Sequence, residues 1–208
     1  MKVAVVFLAL IAVGFAAPQP RKLFHEHVED FLELINEEAG QDLEELFEHY
    51  IEFDAFWVAL DYLRTADFRN LIYEMESLPE FRAVIDFLEK DNIDILYFID
   101  LFNSVIESGL EGVKKTRHQL SGEDFSAFIN DCVEFFPKDK LAALFEQKLN
   151  EDEEFRTAIE NLNSEEWFAI YDALWKSSVF QAEIATLGQH GIHIHALLNE
   201  LIAVFGQN

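Results

Sequence analysis

Glu29-Asp30-Phe31-Leu32-Glu33-Leu34-Ile35-Asn36 returns ninety-four residues later as Glu123-Asp124-Phe125-Ser126-Ala127-Phe128-Ile129-Asn130. Leu43, Leu46 and Phe47 return at Leu141, Leu144 and Phe145. Beyond these the spacing is ninety-nine: Thr65 pairs with Ser164, Phe68 with Trp167, Leu71 with Ile170 and Met75 with Leu174. Phe81 then pairs with Phe180, Ile85 with Ile184, Leu88 with Leu187 and Ile93 with Ile192. Phe98 with Leu197, Phe102 with Leu201 and Ile106 with Phe205 close the series. The drift from ninety-four to ninety-nine places five inserted residues in the second copy, mostly around Phe135-Phe136-Pro137. Apolar positions recur while polar ones change, so the repeated unit is a packing surface.

The surface is helical. Phe24, Val28, Phe31 and Ile35 form one stripe at spacings of three and four; Leu43, Leu46, Phe47, Tyr50 and Ile51 form another. Thr65 and Ser164 read as N-caps with acids in the following turn, Pro79 as a first helical residue, and Gly40 and Gly188 as C-terminal caps. After Pro20 only Pro79 and Pro137 interrupt the chain, and strand-like alternation is missing. These signals predict an all-α protein of two tandem repeats with about five helices each.

Forty Asp and Glu stand against fifteen Lys and Arg, a formal net charge of −25, yet half of the 208 residues are hydrophobic. So apolar a chain is not intrinsically disordered. So acidic a chain repels nucleic acid and anionic membrane surfaces, whose recognition needs Lys and Arg. Twenty-one Phe against five Tyr and three Trp make the aromatic surface mostly one without a polar handle. The composition describes a greasy interior inside an acidic shell.

Lys2, the apolar run Val3 to Phe15 and the small residues Ala16-Ala17 read as a secretory signal peptide over residues 1–16, too short to span a bilayer. The predicted organisation continues with a flexible segment 17–22, repeat one over 23–108, a linker 109–120 and repeat two over 121–208. Gly109, Gly112 and Gly122 bracket the join, and Lys114, Lys115 and Arg117 lie between them. They read either as a solvated linker or as a processing site for a trypsin-like protease. Export permits disulfides, but Cys132 is the only cysteine. It reads as a small buried apolar residue or as a free thiol for intermolecular pairing.

No catalytic constellation stands out. Carboxylate pairs such as Glu44-Glu45 are so abundant that they read as solvated helix faces. His190, His193 and His195, with Glu200 nearby, are the one dense ligand cluster, but copy one has no histidine in the equivalent stretch. An interhelical turn with solvent-facing imidazoles accounts for them better than a metal site. No catalytic residue, metal or cofactor is assigned. Residues 93–106 hold ten apolar or aromatic side chains in fourteen positions, more than one stripe requires. The apolar excess either fills one tight core or encloses space for an apolar ligand, and periodicity does not separate the two.

With its leader and two Phe-, Leu- and Ile-rich repeats of about ninety residues, the chain resembles the insect allergen-related repeat family. That family includes the major cockroach repeat allergen, mosquito midgut microvillar proteins and caterpillar nitrile-specifier proteins. The likeness rests on the paired positions Phe68/Trp167, Phe81-to-Ile85/Phe180-to-Ile184 and Ile93/Ile192, and runs over about residues 23–206. It implies one helical capsule around an apolar cavity and a secreted protein of the midgut lumen or microvillar surface. The implied partners are fatty acids or phospholipids, without a transmembrane segment or nucleic acid. The wall positions so implied are Phe68, Leu71, Phe81, Ile85, Phe98, Phe102, Trp167, Ile170, Phe180, Ile184, Leu201 and Phe205. Two alternatives follow from the same likeness: a specifier protein that diverts plant defence-compound breakdown, and a structural protein of the gut surface. The specifier relatives usually carry three repeats, which argues against transferring their activity.

Overall fold

The structure, a computed structural model, describes residues 22–104 and 123–206, with the side chain of Phe102 excepted. The predicted signal peptide and the linker residues Lys114, Lys115 and Arg117 lie outside the described residues. Repeat one supplies α1 (Phe24–Tyr50), α2 (Asp54–Leu63), α3 (Ala66–Ser77), α4 (Pro79–Lys90) and α5 (Ile95–Ser104). Repeat two supplies α6 (Phe125–Phe135), α7 (Lys138–Glu151), α8 (Glu153–Asn161), α9 (Glu165–Lys176), α10 (Ser178–Gln189) and α11 (Ile194–Val204). The protein is all-α, with no strand among the described residues, and α8 to α11 each start ninety-nine residues after α2 to α5.

The inserted residues have a visible effect. Where repeat one runs a single 27-residue helix, repeat two breaks it into α6 and α7 at Phe136-Pro137. Pro137 has no N–H and pushes the residue before it out of the helical region, and Phe136 is extended at φ −64°, ψ 137°. Gly40, expected to end a helix, instead lies inside α1. Buried Ala39 and Phe47 carry the packed face past it and outweigh the roughly 1 kcal/mol that glycine costs a helix.

Caps hold the shorter helices. Thr65 Oγ1 accepts the Phe68 N–H at 3.1 Å and Ser164 Oγ accepts the Trp167 N–H at 3.1 Å, as expected, and Pro79 opens α4. Gly188, also expected as a cap, lies within α10; the left-handed residue is Gly191, at φ 75°. Asn92 takes that place after α4, at φ 60°. In both turns a 6→1 hydrogen bond closes the helix, from Ile93 N–H to Leu88 O (2.9 Å) and from Ile192 N–H to Leu187 O (3.1 Å). Ile93 and Ile192 are both buried, supplying the apolar contact of such a cap.

The copies pack by exchange. α3 lies on α10 while α4 lies on α9, so each repeat sets its third short layer on the fourth of the other. α1 packs on α6 and α7, and α6 also receives α2 and α11. Within each copy the second residue of the first helix is tied to the residue ahead of the last helix. The His25 N–H donates to Asp94 Oδ1 (3.0 Å), and the His193 N–H donates to Ser126 Oγ (2.9 Å). The core is aromatic and spans both copies: Phe56 meets Phe47, Tyr50, Phe125 and Phe128, while Phe31 meets Phe145, Phe155 and Phe205. Among the described residues no helix is long and apolar enough to cross a membrane.

Candidate functional site

The expected wall residues divide three ways. Phe68 and Leu71 on α3 and Phe180 on α10 are buried. Phe81, Ile85, Phe98, Trp167, Ile170 and Ile184 are half-buried, and all of these but Ile85 pack against the core cluster. Phe205 is half-buried as well, but its ring joins Phe24, Phe31 and Phe145 in the aromatic core. Leu201 departs from the expectation, with 56% of its surface exposed. On α11 the buried face is formed by Ala196, Ala203 and Val204, and Leu201 lies more than a quarter-turn round the helix from it.

The exchange of α3, α4, α9 and α10 brings apolar residues of the two copies together, with buried Phe87 of α4 against half-buried Trp167 of α9 at 5.3 Å. Trp167 continues into Tyr171 (5.9 Å) and Trp175 (5.8 Å), and the Trp175 ring faces Phe180 and His195. Phe168 and Tyr171 keep exposed faces, which sequence reasoning missed. The signal for it is that α9 has apolar residues on more than one stripe: Trp167, Ile170 and Leu174 on the first, Phe168, Tyr171 and Trp175 on the second.

Two polar features stand out, the first of them between the copies. Lys148 of α7 is buried against α1, paired with Asp30, with its ammonium 5.6 Å from the Phe31 ring centroid and 3.3 Å from His27 Nδ1. An ammonium only donates, so Nδ1 accepts and the neutral imidazole carries its proton on Nε2, 3.3 Å from Asp152 Oδ2. Burial first, and then Lys148, hold His27 below the ordinary imidazole value. Lys22, at the end of the segment expected to be flexible, also pairs with Asp30. The second feature is Glu200 on α11, whose carboxyl burial pushes up to about 7. Its neighbour Cys132 on α6 is buried, as one of its two sequence readings had it, and burial raises its thiol well above the ordinary range.

A family model described as insect allergen related repeat, nitrile-specifier detoxification, matches residues 23–198, across both copies. The chain belongs to the insect allergen-related repeat family. No curated protein matches it. Two histidines of the cluster in this allergen-related repeat protein stack on rings, His190 on Tyr62 at 3.6 Å and His195 on Trp175 at 5.2 Å, while His193 is exposed. Among the described residues no group of three or more His, Cys, Asp or Glu side chains is placed to hold a metal ion. A surface cleft of about 750 Å³ is lined by carboxylates including Asp91, Asp152 and Glu154, with Lys22 and Lys90, and offers nothing to an apolar ligand.

His27 and Glu200 set opposite pH dependences for this allergen-related repeat protein. The unfolded chain takes up a proton on His27 near pH 6.5, which the folded chain resists, so that contribution is complete above pH 6.5 and lost as pH falls below it. Glu200 titrates near 4.5 unfolded and about 7 folded, so its contribution is complete below 4.5 and lost as pH rises through 7. Lowering pH from about 7.5 to 5 is therefore expected to raise the urea midpoint of His27→Gln and to lower that of Glu200→Gln. Parallel slopes in the two variants would refute the assignment.

Proposed function

We propose that this protein is a non-enzymatic, secreted carrier of acyl chains, holding fatty acids or phospholipid tails between its two copies in the lumen or at the microvillar surface of the digestive tract. The observation that carries the reading is the state of the repeated apolar positions. Phe81, Trp167, Ile170 and Ile184, on the helices that the copies exchange, and Phe98 on α5 pack on the core yet keep accessible surface. A packed apolar residue that retains accessible area is a surface on which a methylene chain gains about 0.8 kcal/mol per buried CH₂. The acidic exterior supports solubility of so apolar a protein. The resemblance drawn from the repeated apolar positions, which implies lipid carriage, supports the same reading.

The test is mass spectrometry of an organic extract from natively purified protein, beside a denatured and refolded control. Acyl lipid at about one or more per chain in the native sample only is the expected result. Ile85→Asn is expected to lower that content several-fold while costing no more than about 2 kcal/mol, since Ile85 is only half-buried. A clean extract from folded protein would overturn the carrier reading. The detoxification named in the family description is the second reading, and a change in glucosinolate breakdown products on adding the lipid-free protein would favour it.

A further inference from the structure

The cleft of about 750 Å³ lies between the copies, where the turn after α4 of repeat one faces the start of α8 of repeat two. Its walls carry Asp91, Glu151, Asp152, Glu153 and Glu154. The two lysines beside them, Lys22 and Lys90, are engaged by Asp30 and Glu166, carboxylates that do not line it. The cleft therefore presents net negative charge to whatever enters. A recess of about 70 Å³ adjoins it, sharing Lys22, Asn92 and Glu154, and is lined further by apolar Phe24, Phe155 and Ala158 and by His27.

His27 is only 4% exposed, and its Nε2 is the one buried side-chain nitrogen or oxygen without a hydrogen bond among the described residues. Nδ1 is committed to the Lys148 ammonium, so Nε2 carries the proton and needs an acceptor. Asp152 Oδ2, 3.3 Å away, does not meet it in hydrogen-bond geometry. A buried donor left in this state costs stability, and native folds rarely leave one.

The fold does not need this opening. Tyr62 and His190 stand ninety-nine residues from Asn161 and Asp91, and so mark the corresponding place on the other side of the repeat. There the two rings stack at 3.6 Å and join α2 to the turn after α10. In the cleft the same two positions are an amide and a carboxylate, and both line open space. Glu151 to Glu154 correspond to Glu52, Phe53, Asp54 and Ala55, so two of those four acids belong to the cleft alone.

Three kinds of cation suit acidic walls, and the geometry separates them. A metal ion needs clustered ligands, and no three are so placed among the described residues. It would also need a lone pair on Nε2, which holds the proton. A polyamine brings charge but no acceptor. A basic peptide brings cationic side chains for the carboxylates and backbone carbonyls for an orphaned N–H. We propose that this cleft is a docking site for an extended basic peptide, whose lysine or arginine side chains meet the acids while a backbone carbonyl accepts the His27 Nε2–H at the recess. The site shares no residue with the apolar seam and is independent of the carrier reading.

The test is fluorescence anisotropy of labelled tetralysine, capped at both ends, added to the full-length protein at about 0.15 M salt, where long-range surface attraction is screened. Spermine, which has the same four positive charges and no carbonyl, is the competitor. Wild type is expected to bind tetralysine at least about tenfold more tightly than spermine. Glu151→Gln with Glu153→Gln is expected to weaken tetralysine about fivefold or more. Glu37→Gln with Glu48→Gln, which removes the same charge from exposed positions of α1, is expected to stay within about twofold of wild type. Asp91→His with Asn161→Tyr copies the stacked pair of the corresponding place and is expected to weaken tetralysine about tenfold. Thermal melts followed by circular dichroism establish that each variant is folded; should the stacked-pair variant not fold, the glutamine variants decide alone. Equal losses in the two glutamine variants would reduce the binding to overall charge and overturn the site. Spermine binding as tightly as tetralysine would overturn the peptide assignment, and wild-type protein that does not bind tetralysine would overturn the proposal outright.

Discussion

Phe31→Ala is expected to lower the unfolding free energy by about 3–5 kcal/mol. Phe31 is fully buried in α1, and three rings of the second repeat close around it: Phe145 at 6.4 Å, Phe155 at 6.4 Å and Phe205 at 5.1 Å. Truncation removes the aromatic transfer energy and leaves a hole whose walls belong to α7, α8 and the residue after α11. Those elements are fixed by other contacts and cannot collapse inward together, so the cost falls in the upper part of the range for such substitutions. Phe168→Ala, at an exposed position on α9, is the control and is expected to change stability by about 0.5 kcal/mol or less. Urea denaturation followed by circular dichroism measures both. A Phe31→Ala loss below about 1.5 kcal/mol would mean that the two copies do not share one core.

The second large effect is at Asp30. Lys148 is only 7% exposed, and Asp30 is its sole carboxylate partner among the described ion pairs. Asp30→Ala leaves a buried ammonium facing a neutral imidazole and the Phe31 ring, and is expected to cost about 3–5 kcal/mol. Lys148→Met removes the charge and keeps an unbranched chain on that ring, and is expected to be near neutral. The double variant is therefore expected to recover most of what Asp30→Ala loses, a coupling read from a double-mutant cycle of urea midpoints. An Asp30→Ala loss of under about 1 kcal/mol, or an additive double variant, would show that the ammonium reaches water.

Much of this arrangement is legible in the chain itself, because apolar spacing reports burial directly. Phe24, Val28, Phe31 and Ile35 are all buried as one stripe, and Thr65, Ser164 and Pro79 sit at the helix starts where their chemistry puts them. Glycine was the weaker guide. Gly40 and Gly188 lie inside helices because packing outweighs intrinsic preference, while the left-handed turn falls on Gly191 in one copy and on Asn92 in the other. The candidate site was legible only in outline. Phe98, Trp167 and Ile184 share a pattern with buried residues, and a period of three to four cannot say which of them keep accessible surface. Leu201 has the same pattern, and its neighbour Glu200 takes the inward place. The contacts that join Lys148 to His27 and Asp30 bridge well over a hundred residues, and no local spacing announces them.

The exchange of α3 and α4 with α10 and α9 has a consequence for origin. Each copy offers the other the same surface that it receives, the self-complementary relation of an isologous dimer. A lone repeat would expose the aromatic half-core that its twin now covers, and two identical lone repeats would cover it for one another about a true symmetry axis. The architecture is thus that of a homodimer fused into one polypeptide, and fusion freed each half to diverge. A leucine at position 101 and a glutamate at position 200 are a distinction that no symmetric pair of identical subunits could have made.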